Sequence, residues 1–265
     1  MYAFNYQRPT NVRAVASALG KAEEPKLIAG GQTLLPTMKL RLASPKTLVD
    51  LGKVDGLSGI EVKGRTVVIG AMTRHADVAN SAAVGEAIPG LAMLAGVIGD
   101  PAVRARGTIG GSVANNDPAA DYPAACLALG ATIITNKRKI GADDFFTGLF
   151  DTALEEGEFI TKISFPVPAK SAYEKFRNPA SRFALVGVFV AKKGAEVRVA
   201  VTGAGAEGVF RHTKAEAALT AKFSAKSLDG IEVSAKNLNG DIHASAEYRA
   251  HLIGVLAKRA VAAAK

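Results

Sequence analysis

The hydrophobic and polar positions near the start of the chain alternate between helical and strand spacing. Apolar residues at helical spacing from Val12 to Leu19 predict a helix, which Thr10 can cap and Gly20 can end. Short apolar runs predict strands at 26–29 and 47–51. This alternation predicts a first α/β part of about residues 1–55.

The same mixture of patterns continues over residues 56–170. Strands are predicted at 66–69, 132–135 and 159–165. Helical spacing covers 91–97, and Asp117 followed by Pro118 predicts the start of a helix that ends near residue 129. Residues 1–170 are therefore expected to form one α+β region in two parts.

The spacing between elements shortens after Pro166–Ala172, a segment with the composition of a linker. Strands are predicted at 173–177, 185–191 and 196–202, and a turn around Gly194 joins the last two as a β-hairpin. Helices follow at 213–221 and from Ser245 onward. Residues 173–265 are expected to form a second α+β domain, an antiparallel sheet backed by helices.

Composition and charge narrow the classes of function. The chain has 265 residues, 48% of them hydrophobic, which is typical of a globular protein. The net charge of +9 makes nucleic acid a candidate partner, but Lys and Arg are scattered without a long basic run, which favours a solvated surface or an acidic protein partner. No apolar run is long enough to span a membrane and no secretory signal is evident, so a cytoplasmic location is expected.

A first glycine pair, Gly30-Gly31, follows a predicted strand and is followed by Gln32 and Thr33. Glycine permits the backbone conformations that point successive N–H groups at an anion, and it lets a phosphate approach without a Cβ. A pyrophosphate site is one interpretation of this segment, and an ordinary turn is the other.

A second glycine pair lies in Thr108–Ser112 and strengthens the binding interpretation. Two such turns flanked by hydroxyl side chains suit a dinucleotide better than a mononucleotide. Asn115 and Asp121 add an amide and a carboxylate that can bind ribose or ribityl hydroxyls. For Asp121 the alternative is an acid that stabilises the first turn of a helix.

Other candidate motifs are weaker. Gly203–Gly208 matches the spacing of a dinucleotide fingerprint, but the residues after it have an extended pattern where that motif requires a helix. The four histidines are far apart, so no metal site is predicted, although His75 could lie near a cofactor or simply begin a helix. Cys126 is the single cysteine, so the chain cannot hold an iron–sulfur cluster through four thiolates.

Several segments together are specific to one family. They are AGGQTLLPTMKLRL (Ala29–Leu42), IGAMTRH (Ile69–His75), TIGGSVANNDPAADYPAACLALGA (Thr108–Ala131), YEKFRNPASRFALVGV (Tyr173–Val188) and SAEYRAHLIGVLAKRA (Ser245–Ala260). In these segments the chain resembles the medium, FAD-binding subunit of molybdenum hydroxylases, such as carbon monoxide dehydrogenase, and the flavin domain of xanthine dehydrogenase. The resemblance implies a two-part FAD-binding region of the PCMH type, followed by a domain with a three-stranded antiparallel sheet and helices.

The resemblance also implies a set of cofactor-binding residues. Both glycine segments would hold the FAD pyrophosphate and adjacent groups, Asp121 would contact the sugar part, and Lys175 would lie near the cofactor. Leu94 and Ile160 would make apolar contacts with the flavin or adenine. The implied set is Ala29, Gly30, Gly31, Gln32, Thr33, Leu34, Gly70, Ala71, Thr73, Leu94, Thr108, Ile109, Gly110, Gly111, Ser112, Asn115, Asp121, Ile160 and Lys175.

The function implied by the resemblance is electron transfer through FAD, with no catalytic side chain on this chain. Electrons would come from [2Fe-2S] clusters on a small partner subunit, after a molybdenum centre on a large subunit oxidises the substrate, and would pass to NAD, a quinone or oxygen. Arg182-Phe183 stand where family members often carry an acid, which leaves the acceptor open. The alternatives are a self-sufficient flavin oxidoreductase of the same fold and a basic polyanion-binding module without cofactor.

Overall fold

The computed structural model describes all 265 residues. The first part of the chain is a three-stranded parallel sheet in the order β1-β3-β2, with a helix packed against it. Its elements are β1 (Asn5–Gln7), α1 (Val12–Lys21), β2 (Pro25–Ile28), α2 (Leu34–Lys39) and β3 (Thr47–Asp50), followed by a 3-10 turn at Leu51–Lys53. A small core centred on Val15 and Val49 holds the sheet and α1 together.

The ends of α1 differ from the prediction. Asn11, not Thr10, caps the helix, because its side-chain oxygen accepts the Ala14 N–H at 2.9 Å. The helix also continues through Gly20 to Lys21. Gly20 faces open space, so a glycine there costs helix stability without forcing the chain to turn.

The second part is a five-stranded antiparallel sheet in the order β4-β5-β10-β6-β7, with helices inserted between its strands. Its elements are β4 (Ile60–Lys63), β5 (Thr66–Gly70), α3 (His75–Asn80), α4 (Ala82–Ala87), α5 (Pro89–Gly96), α6 (Pro101–Arg106), α7 (Ile109–Asn115), α8 (Tyr122–Leu129), β6 (Thr132–Thr135), β7 (Lys139–Gly141), α9 (Ala142–Phe145), β8 (Phe146–Gly148), β9 (Asp151–Thr152) and β10 (Ile160–Pro166). Every residue of α8 is buried, so this helix is the centre of the core.

Two local predictions in this part were wrong. The helix predicted from Asp117 begins at Tyr122, because Asp117 instead forms a turn in which its side chain accepts the Ala119 N–H at 2.8 Å. The second glycine pair is not a turn after a strand. Gly110 and Gly111 lie in the first turn of α7, and Thr108 is the N-cap.

The last part is an antiparallel sheet of four strands, in the order β11-β12-β13-β14, where three were predicted. The short β14 adds to the edge of β13, where the sequence indicated an extended segment but not a fourth strand of the sheet. The elements are β11 (Lys170–Arg177), β12 (Ala184–Lys193), β13 (Glu196–Thr202), β14 (Phe210–Arg211), α10 (Thr213–Ala221), a 3-10 turn at Ala225–Leu228 and α11 (Ala246–Ala263).

The sheet of the last part packs closely against the helices that precede it. Tyr173, Phe189 and Ala200 belong to the same buried cluster as α8. The Thr202 hydroxyl donates to the Ala120 carbonyl at 2.6 Å, so β13 also fixes the loop before α8. Only Val167–Ala169 separate β10 from β11, so the predicted linker is short. No helix of the chain is long and apolar enough to cross a membrane.

Candidate cofactor site

The loop Gly30–Thr33 joins β2 to α2 and offers free backbone donors. Its four N–H groups have no acceptor within the chain. Gly31 has φ +73°, a conformation that residues with a side chain rarely adopt, and this reverses the chain between the strand and the helix. Consecutive free N–H groups on a glycine turn form a concave anion site. The first glycine segment therefore has the property that its sequence predicts.

The segment Thr108–Ser112 differs, because its N–H groups are used within the chain. The Ile109 N–H donates to the Thr73 carbonyl at 3.0 Å and the Gly110 N–H to the Ala71 carbonyl at 2.8 Å. The Thr108 hydroxyl accepts the Gly111 N–H at 3.2 Å. This segment can contribute hydroxyl groups and a surface without side chains, but it does not offer a second row of free N–H donors.

The two glycine segments lie against each other. A Cβ on Gly30 would overlap the Arg106 carbonyl, and a Cβ on Gly111 would lie 3.5 Å from the Ala29 methyl group. On the other side, a Cβ on Gly110 would lie 2.5 Å from that of Ala71. Gly30 and Gly110 are therefore required for the close approach of three stretches of backbone, which brings residues 29–34, 70–73 and 106–112 together.

Gly70, Ala71 and Thr73 build the wall of this assembly. Ala71 and Thr73 are buried, and their carbonyl groups hold α7 in place. The Thr73 hydroxyl bonds both the N–H and the carbonyl of Gly59, each at 3.0 Å. Because that hydroxyl already bonds Gly59, Thr73 positions the segment Thr108–Ser112 mainly through its backbone carbonyl.

A buried polar cluster lies at the start of α8. The Tyr173 hydroxyl donates to Asp121 Oδ1 at 2.5 Å, and the Lys175 ammonium lies 2.9 Å from Oδ1 and 3.0 Å from Oδ2. Lys175 also donates to the Val97 carbonyl at 3.1 Å. Burial raises the pKa of the Asp121 carboxyl, and the Lys175 and Tyr173 donors oppose that rise. Asp121 stands at the N-cap position of α8, but its side chain makes no cap hydrogen bond and is bonded by Tyr173 and Lys175 instead.

The remaining predicted residues take different positions. Leu94 and Ile160 are buried in the same core as Ile109 and Tyr122. Asn115 ends α7 and Ser112 lies in it, both half-buried. Gln32 is exposed, and Leu34 begins α2 half-buried. The glycine segments and their wall thus converge, whereas Leu94 and Ile160 belong to the core behind them.

His75 begins α3, as one of its two interpretations suggested, and it is buried. Its backbone N–H donates to the Gly107 carbonyl at 3.0 Å, and a Cβ on Gly107 would lie 2.5 Å from its Nε2. Burial and the nearby charge of Arg104 lower the pKa of His75 to about 4. Its Nδ1 and the hydroxyl of Tyr122 have no hydrogen-bond partner, and the two rings lie 5.3 Å apart.

Sequence reasoning missed Tyr122 and Tyr173. Tyr173 and Lys175 are two residues apart on one strand, so their side chains point to the same side, where both meet Asp121. Because Lys175 is in the predicted set, this two-residue spacing could have indicated Tyr173 as well. Nothing in the sequence brings Tyr122 beside His75, since they are far apart along the chain.

The segment Gly203–Gly208 is not a nucleotide-binding turn. No helix follows it, because the chain continues into the short strand β14. The Gly203 N–H donates to the Pro118 carbonyl at 2.8 Å, which joins β13 to the loop before α8. The prediction that this segment lacks the context of the fingerprint is confirmed.

The fold and the converging glycine segments define an α+β protein with a site suited to a dinucleotide. Residues 2–168 match the family model described as the FAD binding domain in molybdopterin dehydrogenase. Residues 171–264 match the model described as the CO dehydrogenase flavoprotein C-terminal domain. Together the two models cover almost all of the chain.

Individual relatives agree with the family models. The carbon monoxide dehydrogenase medium chain of Hydrogenophaga pseudoflava is 36% identical, over 98% of this chain and 96% of the relative. The nicotine 6-hydroxylase medium subunit of Paenarthrobacter nicotinovorans is 37% identical over the same shares, 98% and 96%. A reconstituted CO dehydrogenase from Oligotropha carboxidovorans superposes with a TM-score of 0.91 at 33% identity, covering 98% of this chain and 97% of that one.

The chain belongs to the family of FAD-binding medium subunits of carbon monoxide dehydrogenase-like molybdenum hydroxylases. It is a flavoprotein component of an oxidoreductase, and FAD is its cofactor. The resemblance found in the sequence segments is confirmed.

Proposed function

We propose that the chain is the electron-transfer subunit of a molybdenum hydroxylase complex. It holds FAD between a small subunit with [2Fe-2S] clusters and an external electron acceptor, and a large subunit with a molybdenum centre oxidises the substrate. The single cysteine supports this division, since four thiolates are needed to hold such a cluster. Bound FAD supplies the redox chemistry, and the protein supplies its placement and electrostatics.

The observation that carries this proposal is the loop Gly30–Thr33 with its four free N–H groups. These groups fit a pyrophosphate, because they offer hydrogen bonds and a positive potential, and the two glycines among them have no Cβ in the way. The bare backbone of Gly110 and Gly111 lets the second segment approach the same point. The hydroxyl of Ser112 adds a donor beside it.

Asp121 would contact the sugar part of the cofactor, and Lys175 would lie near the cofactor. A carboxylate can accept about four hydrogen bonds, and Tyr173 and Lys175 use only part of that capacity. Asp121 can therefore accept a further bond from a sugar hydroxyl. We propose the same for the amide of Asn115. Of the other predicted residues, Leu94 and Ile160 belong to the core behind the glycine segments. The rest lie around those segments, namely Ala29, Leu34, Gly70, Ala71, Thr73, Thr108 and Ile109.

The similarity of this subunit to its relatives does not indicate the substrate of the complex. The relatives named for carbon monoxide and for nicotine are almost equally identical to this chain, 36% and 37%. Residues that select the substrate are expected on the large subunit, where it would be oxidised.

The test is a purification of the chain from its native host under gentle conditions. The visible spectrum, the FAD released on denaturation, and the iron and molybdenum contents are measured on whatever elutes with it. Flavin with iron and molybdenum is the expected result. Flavin alone, with substrate turnover by the isolated chain, would instead indicate a self-sufficient oxidoreductase, and a colourless protein in every preparation would contradict the proposal.

A further inference from the structure

The hydroxyl of Tyr173 distinguishes the two oxygens of the Asp121 carboxylate. The Lys175 ammonium lies 2.9 Å from Oδ1 and 3.0 Å from Oδ2, so it bonds both oxygens about equally. The Tyr173 hydroxyl donates to Oδ1 alone, at 2.5 Å. Each carboxylate oxygen can accept about two hydrogen bonds. Oδ1 is therefore fully used within the chain, and Oδ2 can accept one more bond from a donor outside it.

The ring of Tyr173 is fixed by its neighbours in the sheet. Tyr173 lies opposite Phe189 in the register of β11 and β12, and the two ring centres are 6.1 Å apart. Both side chains are buried, so the hydroxyl has little freedom to move. Lys175 differs, because its ammonium ends a flexible stem and also donates to the Val97 carbonyl at 3.1 Å. Tyr173 is therefore the rigid partner of the carboxylate.

A glycine in the middle of β12 makes room for this hydroxyl. Gly187 is buried and lies opposite Lys175 in the register. A Cβ at Gly187 would overlap the Tyr173 hydroxyl and lie 2.9 Å from the Cζ atom of the same ring. The φ of Gly187 is not in the left-handed region, so the backbone conformation does not require glycine. Glycine inside a strand is unfavourable unless another group approaches closely, and here that group is the hydroxyl on its way to Asp121.

We propose that Tyr173 is a positioning residue of the cofactor site. It fills Oδ1 of Asp121 and thereby presents Oδ2 to a sugar hydroxyl of FAD, and Gly187 provides the space that this bond needs. The inference rests on the proposed function, in which Asp121 contacts the sugar part of the cofactor. With Lys175 alone, the carboxylate could turn either oxygen toward the cofactor, and this freedom would be lost on binding. The Tyr173 bond removes that loss beforehand.

The same bond helps to keep Asp121 ionised. The charged and titratable groups that face Asp121 are Lys175, Arg177 and Tyr173 on β11, and Tyr122 on α8. Burial raises the pKa of Asp121, whereas Lys175, the Tyr173 hydroxyl and Arg177 lower it. Loss of the Tyr173 hydroxyl therefore raises this pKa further, and Asp121 takes up a proton at a higher pH. A protonated carboxyl is a weaker acceptor than a carboxylate, so FAD affinity should then fall at a higher pH as well.

The test measures the Kd of the full chain for FAD across a range of pH. Tyr173→Phe removes the hydroxyl and keeps the ring, whereas Gly187→Ala keeps the hydroxyl and displaces it. Both are expected to raise the Kd about tenfold near pH 8 and to move the loss of affinity in acid to higher pH. The matched control is Tyr122→Phe, which removes a buried hydroxyl without a hydrogen-bond partner. It should keep the wild-type Kd and pH profile.

The double variant Tyr173→Phe/Gly187→Ala tests whether the two residues act through one bond. Its Kd should rise by less than the product of the two single effects. Denaturant unfolding of every variant separates a structural role, which would lower stability without moving the pH profile.

Two results would overturn the inference. One is wild-type FAD affinity in Tyr173→Phe, and the other is a loss of affinity with an unchanged pH profile. If Tyr173→Phe does not fold, Gly187→Ala provides the same comparison. A wild-type chain that binds no FAD at any pH would contradict the proposed function instead.

Discussion

At the scale of single residues, the cofactor site depends on positions where no side chain fits. Gly30 and Gly110 both lie against neighbouring backbone or side chains, so a Cβ at either position would overlap another part of the site. Gly31 is required for a different reason, since its φ of +73° is unfavourable for other residues. The two glycine pairs thus serve close packing and chain reversal as well as ligand approach.

The substitution Gly30→Ala tests the close approach. The added Cβ would overlap the Arg106 carbonyl and push the two glycine segments apart. We expect a loss of roughly 1–3 kcal/mol in the free energy of unfolding and at least about a tenfold loss of FAD affinity. The measurements are denaturant unfolding and FAD titration. Gly20→Ala is the control, because its Cβ meets open space in α1; it should keep FAD and lose no stability, and helix propensity favours a gain of up to about 1 kcal/mol.

A second residue-scale prediction concerns His75. Its pKa is lowered to about 4, so the folded state resists protonation that the unfolded state accepts at about pH 6.5. The contribution of neutral, buried His75 to the free energy of unfolding is therefore fully present above about pH 6.5. It decreases as the pH falls toward 4, by up to roughly 3 kcal/mol. The variant His75→Phe should flatten the curve of unfolding free energy in this window. His251→Phe, at an exposed position, should keep the wild-type curve, and the same slope in both variants would show that His75 is not the cause.

At the scale of elements, the helix α7 is stabilised by its own N-cap residue, Thr108. The Thr108 side chain accepts the Gly111 N–H. The N–H groups of Ile109 and Gly110, which lie between these two residues, donate to the backbone carbonyls of Thr73 and Ala71. This short helix has two glycines in its first turn, which are unfavourable for helix formation. The cap and the wall are therefore needed to keep the second glycine segment in place.

Removal of that cap should affect the site as well as the stability. We expect Thr108→Val to lower the free energy of unfolding by about 1 kcal/mol, as for other N-cap losses, and to weaken FAD binding. The control is Ser245→Ala, which removes the N-cap of α11 in the last part of the chain. Both variants should unfold at similarly reduced denaturant concentrations, but only Thr108→Val should release FAD more readily. If Ser245→Ala releases it equally, the effect is global.

At the scale of the whole molecule, the polar cluster of Asp121, Tyr173 and Lys175 joins the last sheet to the helices around the glycine segments. Asp121 lies at the start of α8, and its two partners lie on β11. A buried ion pair stabilises a particular arrangement more than it adds net stability, because desolvation offsets its attraction. Removing one partner leaves the other charge buried without compensation.

The substitution Lys175→Met is predicted to destabilise the protein in a pH-dependent way. An ionised Asp121 would then be buried without a counter-ion, and we expect a loss of about 3–5 kcal/mol near pH 8. Burial already raises the pKa of Asp121, so lowering the pH toward 4 protonates it and removes the penalty. The loss should therefore be larger at pH 8 than at pH 5.

Two variants control this prediction. The double variant Asp121→Asn/Lys175→Met should recover part of the stability at pH 8, because it removes both charges. Lys258→Met breaks an exposed ion pair with Asp229 and should change little at either pH. A loss from Lys175→Met that is the same at both pH values would show that packing, and not charge, is responsible.

The sequence by itself determined the longer strands and helices of this protein, and also its family. The strand Glu196–Thr202 and the helix Thr213–Ala221 were predicted at their observed bounds, because alternating and helical apolar spacing is a local property. Where side chains competed with that spacing, the prediction was wrong. Asn11 displaced Thr10 as a cap, and the turn formed by Asp117 delayed α8 to Tyr122.

Only the tertiary structure decided which donors of the site are free. Both glycine pairs have the same local sequence character, but the N–H groups of Gly30 and Gly31 have no acceptor within the chain, whereas those of Gly110 and Gly111 are bonded to the Ala71 carbonyl and the Thr108 hydroxyl. The partners of Asp121 and the contact between His75 and Tyr122 likewise join residues that are far apart in sequence. Spacing along a chain describes neighbours within one element, whereas hydrogen-bond satisfaction and burial depend on which elements pack together.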